Sequence, residues 1–194
     1  LWNVQTQKYK TYSLYDLRAY EGYETYVFWQ EFENFGWGKP ACNPVLATGS
    51  AIFMRGSTTG NVTVTLSGEV VLSETATKRM EMGMQLVSNP FSDTVKLSDL
   101  KLHESAKGDV HNPSLADQII AWNEVTQKYV TYSLYDLREH EGYESYVFWQ
   151  SFDNFGWGRP TMDPTFEPGR GFWFRSVHGV FDWVVTNTYE SVLE

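Results

Sequence analysis

The chain has 194 residues, 16% of them aromatic, and a formal net charge of −9. This acidic balance argues against a nucleic-acid interface, because binding to phosphates requires clustered Lys and Arg and the sequence has no such cluster. Its apolar runs are only a few residues long, whereas a membrane-spanning helix needs roughly 20. No transmembrane segment is therefore predicted.

An internal duplication dominates the sequence. Residues 2–40 recur as residues 122–160, and 30 of the 39 aligned positions are identical. Beyond this block only scattered positions match, and residues 75–121 precede the second copy alone. We therefore predict two modules, an N-terminally incomplete repeat over residues 1–74 and a complete repeat over residues 75–194.

Three explanations are open for the incomplete first repeat. The chain is a fragment of a longer polypeptide, a permuted two-domain protein, or a subunit whose missing strands come from a neighbouring chain. They differ in what fills the gap, a missing segment of the same polypeptide or a segment of another chain.

Strands are predicted along most of the chain. Residues 11–17 and 23–32, with their second copies, are rich in the aromatic and β-branched residues that suit a half-buried pleated surface. The clearest alternation of apolar and polar residues lies at residues 61–72. Further strands are predicted at residues 51–56, 171–176 and 180–187, and short helices at residues 98–105 and 114–120. These patterns predict an all-β fold of two tandem antiparallel β-sandwich modules, jelly-roll or immunoglobulin-like.

Three segments of the second copy carry a family resemblance. They are LVSNPF at 86–91, DQIIAWNEVTQKYVTY at 117–132 and PGRGFWFRS at 168–176. In this order they resemble a tandem β-sandwich repeat of secreted and cell-surface proteins of bacteria. The first copy departs at both ends, since it lacks the opening segment and has Ala47–Ala51 in place of the Glu-Pro-Gly-Arg-Gly turn. The resemblance implies export and a structural or adhesive module, often with no assigned activity.

The repeated block places aromatic residues beside glycines in a loop at residues 34–38, which recurs at residues 154–158. Exposed Trp and Tyr rings stack on the apolar faces of sugars and also anchor protein interfaces. Rings in such a loop can equally plug the open end of a sandwich, and both interpretations are open. The candidate ligand-binding residues are Tyr23, Phe35, Trp37, Tyr143, Phe155 and Trp157.

Carboxylates are duplicated together with these aromatic residues. Asp16 and Glu33 recur as Asp136 and Asp153, and Ca²⁺ binds to carboxylate oxygens. Their spacing matches no EF-hand loop, and solvated surface charge is the alternative role. We predict no cofactor, with Ca²⁺ at these four carboxylates as the alternative. Glycoside hydrolysis also uses paired carboxylates, but it depends on a separation that the sequence does not provide.

Other catalytic arrangements lack the necessary residues. The four histidines are His103, His111, His140 and His178, and no histidine occupies the same position in both copies. A duplicated zinc site or general base would have been duplicated with its histidine. The sequence also lacks a nucleophile elbow and a dinucleotide-binding fingerprint. We therefore predict a non-enzymatic protein.

Together these features predict an extracellular or cell-surface structural or adhesive repeat protein. Its predicted partners are neighbouring repeats or copies of itself, joined by strand addition at an open sheet edge. The alternative is a carbohydrate-binding module that uses the aromatic loops as platforms for a glycan.

Overall fold

The computed structural model of the chain describes residues 1–56 and 73–187. The chain divides into two compact units, Leu1–Ala47 (unit 1) and Thr48–Glu194 (unit 2). Each unit contains one copy of the repeated block. In the described residues nearly all regular structure consists of strands in antiparallel sheets, which confirms the predicted all-β class.

Unit 1 consists of two antiparallel strand pairs. Strand β1 (Trp2–Asn3) pairs with β2 (Lys8–Tyr9), and β3 (Tyr12–Asp16) pairs with β4 (Val27–Glu31). A 3₁₀ turn at Phe32–Asn34 leads from β4 into the aromatic loop. Leu14 lies opposite Trp29 in the β3–β4 hairpin, so both side chains lie on the same face.

Unit 2 contains nine strands within the described residues. They are β5 (Thr75–Met80), β6 (Gly83–Ser88), β7 (Val95–Lys96), β8 (Gln118–Asn123), β9 (Lys128–Asp136), β10 (Val147–Ser151), β11 (Thr165–Phe166), β12 (Gly171–Ser176) and β13 (Phe181–Thr186). Five of them form an antiparallel sheet in the order β10–β9–β8–β12–β6. Two further sheets are the pairs β13–β5 and β11–β7. One short helix, α1 (Leu102–Ser105), and a 3₁₀ turn at Pro113–Leu115 precede β8.

A single apolar cluster forms the core of unit 2. It joins Ile119 and Leu134 of the five-stranded sheet to Met80 and Trp183 of the β13–β5 pair. Trp183 Nε1 donates a hydrogen bond to Leu100 O at 2.6 Å, so the one polar group of this buried indole is paired inside the core. The hairpin β9–β10, which is the second copy of β3–β4, therefore has one face packed on a core.

Some predicted elements match the structure and others do not. The strands predicted at 171–176 and 180–187 correspond to β12 and β13, and the helix predicted at 98–105 contains α1. The helix predicted at 114–120 is wrong, because these residues form a 3₁₀ turn and the start of β8. Successive side chains of a strand point to opposite faces of the sheet. Two adjacent apolar residues such as Ile119 and Ile120 therefore also fit a strand that is covered on both faces.

The strand predicted at 51–56 is also wrong, since these residues have no regular structure and only the preceding Ser50 forms an isolated bridge with Val87. The strand predicted at 61–72 lies outside the described residues. The finer prediction of two tandem β-sandwich modules stays a prediction. So does the module boundary between residues 74 and 75, which differs from the division into compact units after Ala47.

Candidate functional site

A buried glutamine holds the aromatic loop in the same conformation in both copies. The fully buried Gln30 donates from Nε2 to Gly36 O at 3.0 Å and to Lys39 O at 2.9 Å. Gly36 N donates in return to Gln30 Oε1 at 2.9 Å. The corresponding three bonds of Gln150 are 3.1, 3.1 and 2.8 Å long. Because Gly36 has a φ of 131°, this arrangement requires glycine at the centre of the loop.

Next to this loop, Tyr23, Tyr26 and Trp37 form a cluster of rings. The centroid of Tyr23 lies 5.5 Å from that of Trp37 and 5.8 Å from that of Tyr26, and the Tyr26 and Trp37 centroids are 5.7 Å apart. The second copy has the corresponding distances of 5.5, 5.7 and 5.8 Å. Its members are Tyr143, Tyr146 and Trp157. The repeat therefore presents one aromatic arrangement twice.

The candidate aromatic residues take two different positions in this arrangement. Trp37 is 62% exposed and Trp157 is 63% exposed, and Tyr23 and Tyr143 are exposed beside them. Phe35 instead packs edge-on against Tyr15 of β3, with the ring centroids 5.3 Å apart, and Phe155 packs in the same way against Tyr135 at 5.4 Å. Phe35 is nevertheless 46% exposed and Phe155 is half-buried, so these rings contact the sheet on one side and face solvent on the other, next to the Trp and Tyr rings.

Two of the four candidate calcium ligands are paired with arginines. Arg18 donates from Nε and Nη2 to the Asp16 carboxylate at 3.0 and 2.7 Å, and Arg138 binds Asp136 in the same way at 2.9 and 2.7 Å. The side chain and backbone N–H of Arg18 lower the pKa of Asp16 to about 2. Burial raises the pKa of Asp136, but the hydrogen bonds from Arg138 outweigh burial, and the net shift is downward.

The other two candidate ligands, Glu33 and Asp153, are exposed after the last strand of each hairpin. Within residues 1–56 and 73–187, no group of three or more His, Cys, Asp or Glu side chains is placed to hold a metal ion. The structure therefore shows the duplicated aspartates as partners of arginine, and Ca²⁺ binding stays a hypothesis.

The hairpin face that contains Leu14 and Trp29 is open in unit 1 and covered in unit 2. Leu14 and Trp29 are 45% and 43% exposed, whereas their counterparts Leu134 and Trp149 are 0% and 2% exposed and belong to the core. The paired residues are identical, so side-chain chemistry does not cause the difference. The sequence does not distinguish the two copies at these positions, because identical residues carry no signal of what covers them.

One edge of the same hairpin is open as well. In unit 2, β9 lies between β10 and β8, and Ile119 of β8 is opposite Tyr132 of β9. In unit 1, β3 has β4 as its single partner strand among the described residues. An unpaired strand edge is a template for another strand. The unit 1 hairpin therefore combines an open edge with an open apolar face.

No helix in the described part of the chain is long and apolar enough to cross a bilayer. Comparison with protein-family models gives no match, and searches among curated proteins and among solved structures give none either. The function is therefore inferred from the residues and their geometry alone.

Proposed function

We propose that the protein is a non-enzymatic structural or adhesive repeat protein of the extracellular space or cell surface. In this proposal each repeat is an antiparallel β-sandwich module, and modules of neighbouring chains or repeats join by strand addition. A sandwich with an unpaired edge can accept a strand from outside, which links modules without a separate adaptor.

The observation that supports this proposal is the difference between the two copies of one hairpin. The same side chains are buried in unit 2, at Leu134 and Trp149, and exposed in unit 1, at Leu14 and Trp29. Apolar side chains gathered on one face beside an open strand edge indicate an interaction surface. Retention of both side chains at the open copy favours a contact there over a solvated surface.

Sedimentation velocity of the full chain, from micromolar to millimolar concentration, tests the proposal. We expect reversible self-association that Leu14→Asp reduces, because a charge in the contact would lose its hydration without gaining a partner. Val125→Asp is the matched control, since Val125 is 93% exposed in the turn between β8 and β9. A chain that stays monomeric at millimolar concentration would sink the proposal.

A second candidate function, carbohydrate binding, is supported by the duplicated aromatic cluster. The exposed indole of Trp37 is held beside Tyr23 by a loop that Gln30 fixes, so little conformational entropy is lost when a ligand stacks on the ring. The second copy has the same arrangement around Trp157. This candidate predicts two equivalent glycan sites in each chain.

A glycan array followed by calorimetry tests this second candidate. Trp37→Ala and Trp157→Ala should each remove one of two sites, and the double variant should bind no glycan, because each removes one stacking surface. Val125→Ala serves as the control. An array without binding by the unsubstituted chain would exclude the candidate.

A further inference from the structure

We propose that the two aromatic surfaces bind a polysaccharide built of amino sugars, whose protonated amines meet carboxylates beside the exposed indoles. The inference rests on the carbohydrate-binding candidate and names the class of its ligand. The first ring cluster is Tyr23, Tyr26 and Trp37, and the second ring cluster is Tyr143, Tyr146 and Trp157.

Unit 2 shows that the ring cluster stays open when the rest of the hairpin is covered. Trp157 is 63% exposed, although Leu134 and Trp149 of the same hairpin are buried in the core. Tyr146 contacts Phe148 of β10, with the ring centroids 4.8 Å apart, and Phe148 points to the face opposite to that of Trp149. The cluster therefore adjoins the face that points away from the core, and its exposure is a property of the repeat.

Both copies surround the rings with carboxylates. Residues 19–37 contain four acidic residues and no Lys or Arg, and residues 139–157 contain the same numbers. Three of the four positions are shared, namely Glu21 with Glu141, Glu24 with Glu144 and Glu33 with Asp153. The fourth differs, since it is Glu31 in the first copy and Glu139 in the second. The acidic character is therefore common to both surfaces.

The shared carboxylates differ from the other two in their partners. Glu31 forms an ion pair with Lys10, and Glu139 lies 3.9 Å from Lys107 Nζ. Among residues 1–56 and 73–187, none of the six shared carboxylates takes part in an ion pair. Both copies thus keep the negative charges that the protein itself leaves unneutralised. Such charges beside exposed rings favour a cationic ligand.

One of these carboxylates is oriented by the backbone in each copy. Gly142 N donates to Glu144 Oε1 at 3.0 Å, and Gly22 N donates to Glu24 Oε1 at 2.9 Å. Hydrogen bonds from the glutamate's own N–H and from the glycine N–H lower the pKa of both carboxyls. Each glutamate lies in the turn between the two tyrosines of its ring cluster, so a fixed negative charge follows a tyrosine that contacts the indole.

A single cation follows each aromatic loop. It is Lys39 in the first copy and Arg159 in the second, and both side chains are exposed. Their carbonyl oxygens accept hydrogen bonds from Gln30 and Gln150, which hold the backbone at these positions. One cation beside three shared carboxylates leaves each surface with an excess of negative charge.

An amino sugar combines the two properties that these surfaces require. The apolar face of a sugar ring stacks on indole and phenol rings. A protonated amine on the same ring is attracted to carboxylates at the edge of the surface and to the aromatic faces themselves. The same charges would repel an acidic sugar.

The near identity of the two surfaces favours a ligand that repeats one unit. The three ring distances of the first cluster are 5.5, 5.8 and 5.7 Å, and those of the second are 5.5, 5.7 and 5.8 Å. A polysaccharide presents the same unit many times, whereas a peptide of varied sequence does not. Two sites for one repeated unit also strengthen attachment to a polymer through multivalency.

Calorimetric titration of the full chain with a short β-1,4-linked glucosamine oligomer tests the inference. At mildly acidic pH, where the amines are protonated, we expect two equivalent sites in each chain. Binding should be about fivefold or more tighter than that of the N-acetylated oligomer of the same length, whose amides have no charge. Added salt should weaken binding of the amino oligomer and leave that of the N-acetylated oligomer unchanged.

Substitutions in the chain separate stacking from charge. Trp157→Ala should halve the number of sites for either oligomer, because it removes one stacking surface. Glu24→Gln combined with Glu144→Gln should weaken binding of the amino oligomer about two- to fivefold and spare the N-acetylated oligomer, since glutamine keeps the oxygen that the glycine N–H requires. Glu167→Gln, at an exposed glutamate outside the repeated block, is the matched control and should have no effect.

Equal binding of the two oligomers would overturn the inference and keep the carbohydrate-binding candidate. Absence of binding by any oligosaccharide would remove both. Oligolysine that binds as tightly as the amino oligomer would assign the surfaces to cationic peptides, and tighter binding of an oligouronate would assign the decisive charge to Lys39 and Arg159. Either result would also overturn the inference. Self-association is tested separately, by sedimentation of the chain without sugar.

Discussion

Leu14 and Leu134 occupy the same position of the repeated hairpin, yet Leu134 is completely buried and nearly half of Leu14 is exposed. Residues 11–18 are identical to residues 131–138, so local sequence does not set the difference. What differs is the neighbouring strand, since β8 pairs with β9 and the described residues supply no corresponding strand beside β3.

This difference predicts that replacing leucine by alanine lowers the free energy of unfolding by unequal amounts at the two positions. Leu134→Ala should lower the free energy of unfolding of unit 2 by about 2–5 kcal/mol, because it removes buried apolar contacts and leaves a cavity. Leu14→Ala should change that of unit 1 by less than about 0.5 kcal/mol. Native-state hydrogen exchange, read residue by residue, separates the two units. Equal costs at both positions would contradict the open face of unit 1.

Gln30 and Gln150 each bond to the aromatic loop of their own copy, so substitution of either one should affect that loop alone. Gln150→Leu should leave Gly156 N–H without its partner and accelerate its amide hydrogen exchange, because an unpaired buried polar group costs about 1–3 kcal/mol. The amide of Gly36 in unit 1 should keep its protection and serves as the internal control. Gln30→Leu should reverse the pattern. Unchanged exchange at both glycines would show that these bonds do not hold the loop.

The pairing of Asp16 with Arg18 predicts an acid titration. The pKa of Asp16 is lowered to about 2, from an ordinary value of about 3.9. The pair therefore stabilises unit 1 at pH values above the ordinary pKa of an aspartate. This stabilisation is lost as the pH falls through the lower pKa that Asp16 has in the folded state. Carboxyl carbon NMR should show the low midpoint in the unsubstituted chain.

Arg18→Ala should return the Asp16 midpoint toward its ordinary value, because the hydrogen bonds from the Arg18 side chain are the largest cause of the shift. Arg79→Ala is the matched control, since Arg79 is an exposed arginine in β5. A low midpoint that persists in Arg18→Ala would assign the shift to another group.

Gly108 lies against strand β9 with no room for a side chain, which gives a further prediction for the whole chain. Gly108→Ala should destabilise unit 2 by about 1–3 kcal/mol or more, because the added Cβ overlaps the backbone of β9 at Leu134 and the side chain of Asp136. Ser105→Ala should remain within about 0.5 kcal/mol of the unsubstituted chain, as expected for an exposed position. Urea unfolding of both variants measures the difference.

Several elements could be predicted from the sequence because their signals are local. The aromatic and β-branched composition of residues 128–136 and 147–151 matches strands β9 and β10. The sequence leaves open whether the rings of the aromatic loop plug a sandwich or lie at the surface, and in the structure Trp37 and Trp157 are exposed. The helix predicted at residues 114–120 is wrong, because two adjacent isoleucines fit a short helix as well as a buried strand.

The sequence by itself determined the all-β class, the duplication and the close similarity of the two hairpins, because composition and repetition are properties of the chain alone. Only the tertiary structure decided which hairpin has a covered face. Burial of Leu134 depends on strand β8 and on the core beyond it, and such contacts join residues far apart in the chain. Identical residues such as Leu14 thus acquire a different environment, since the covering elements lie outside the repeated block.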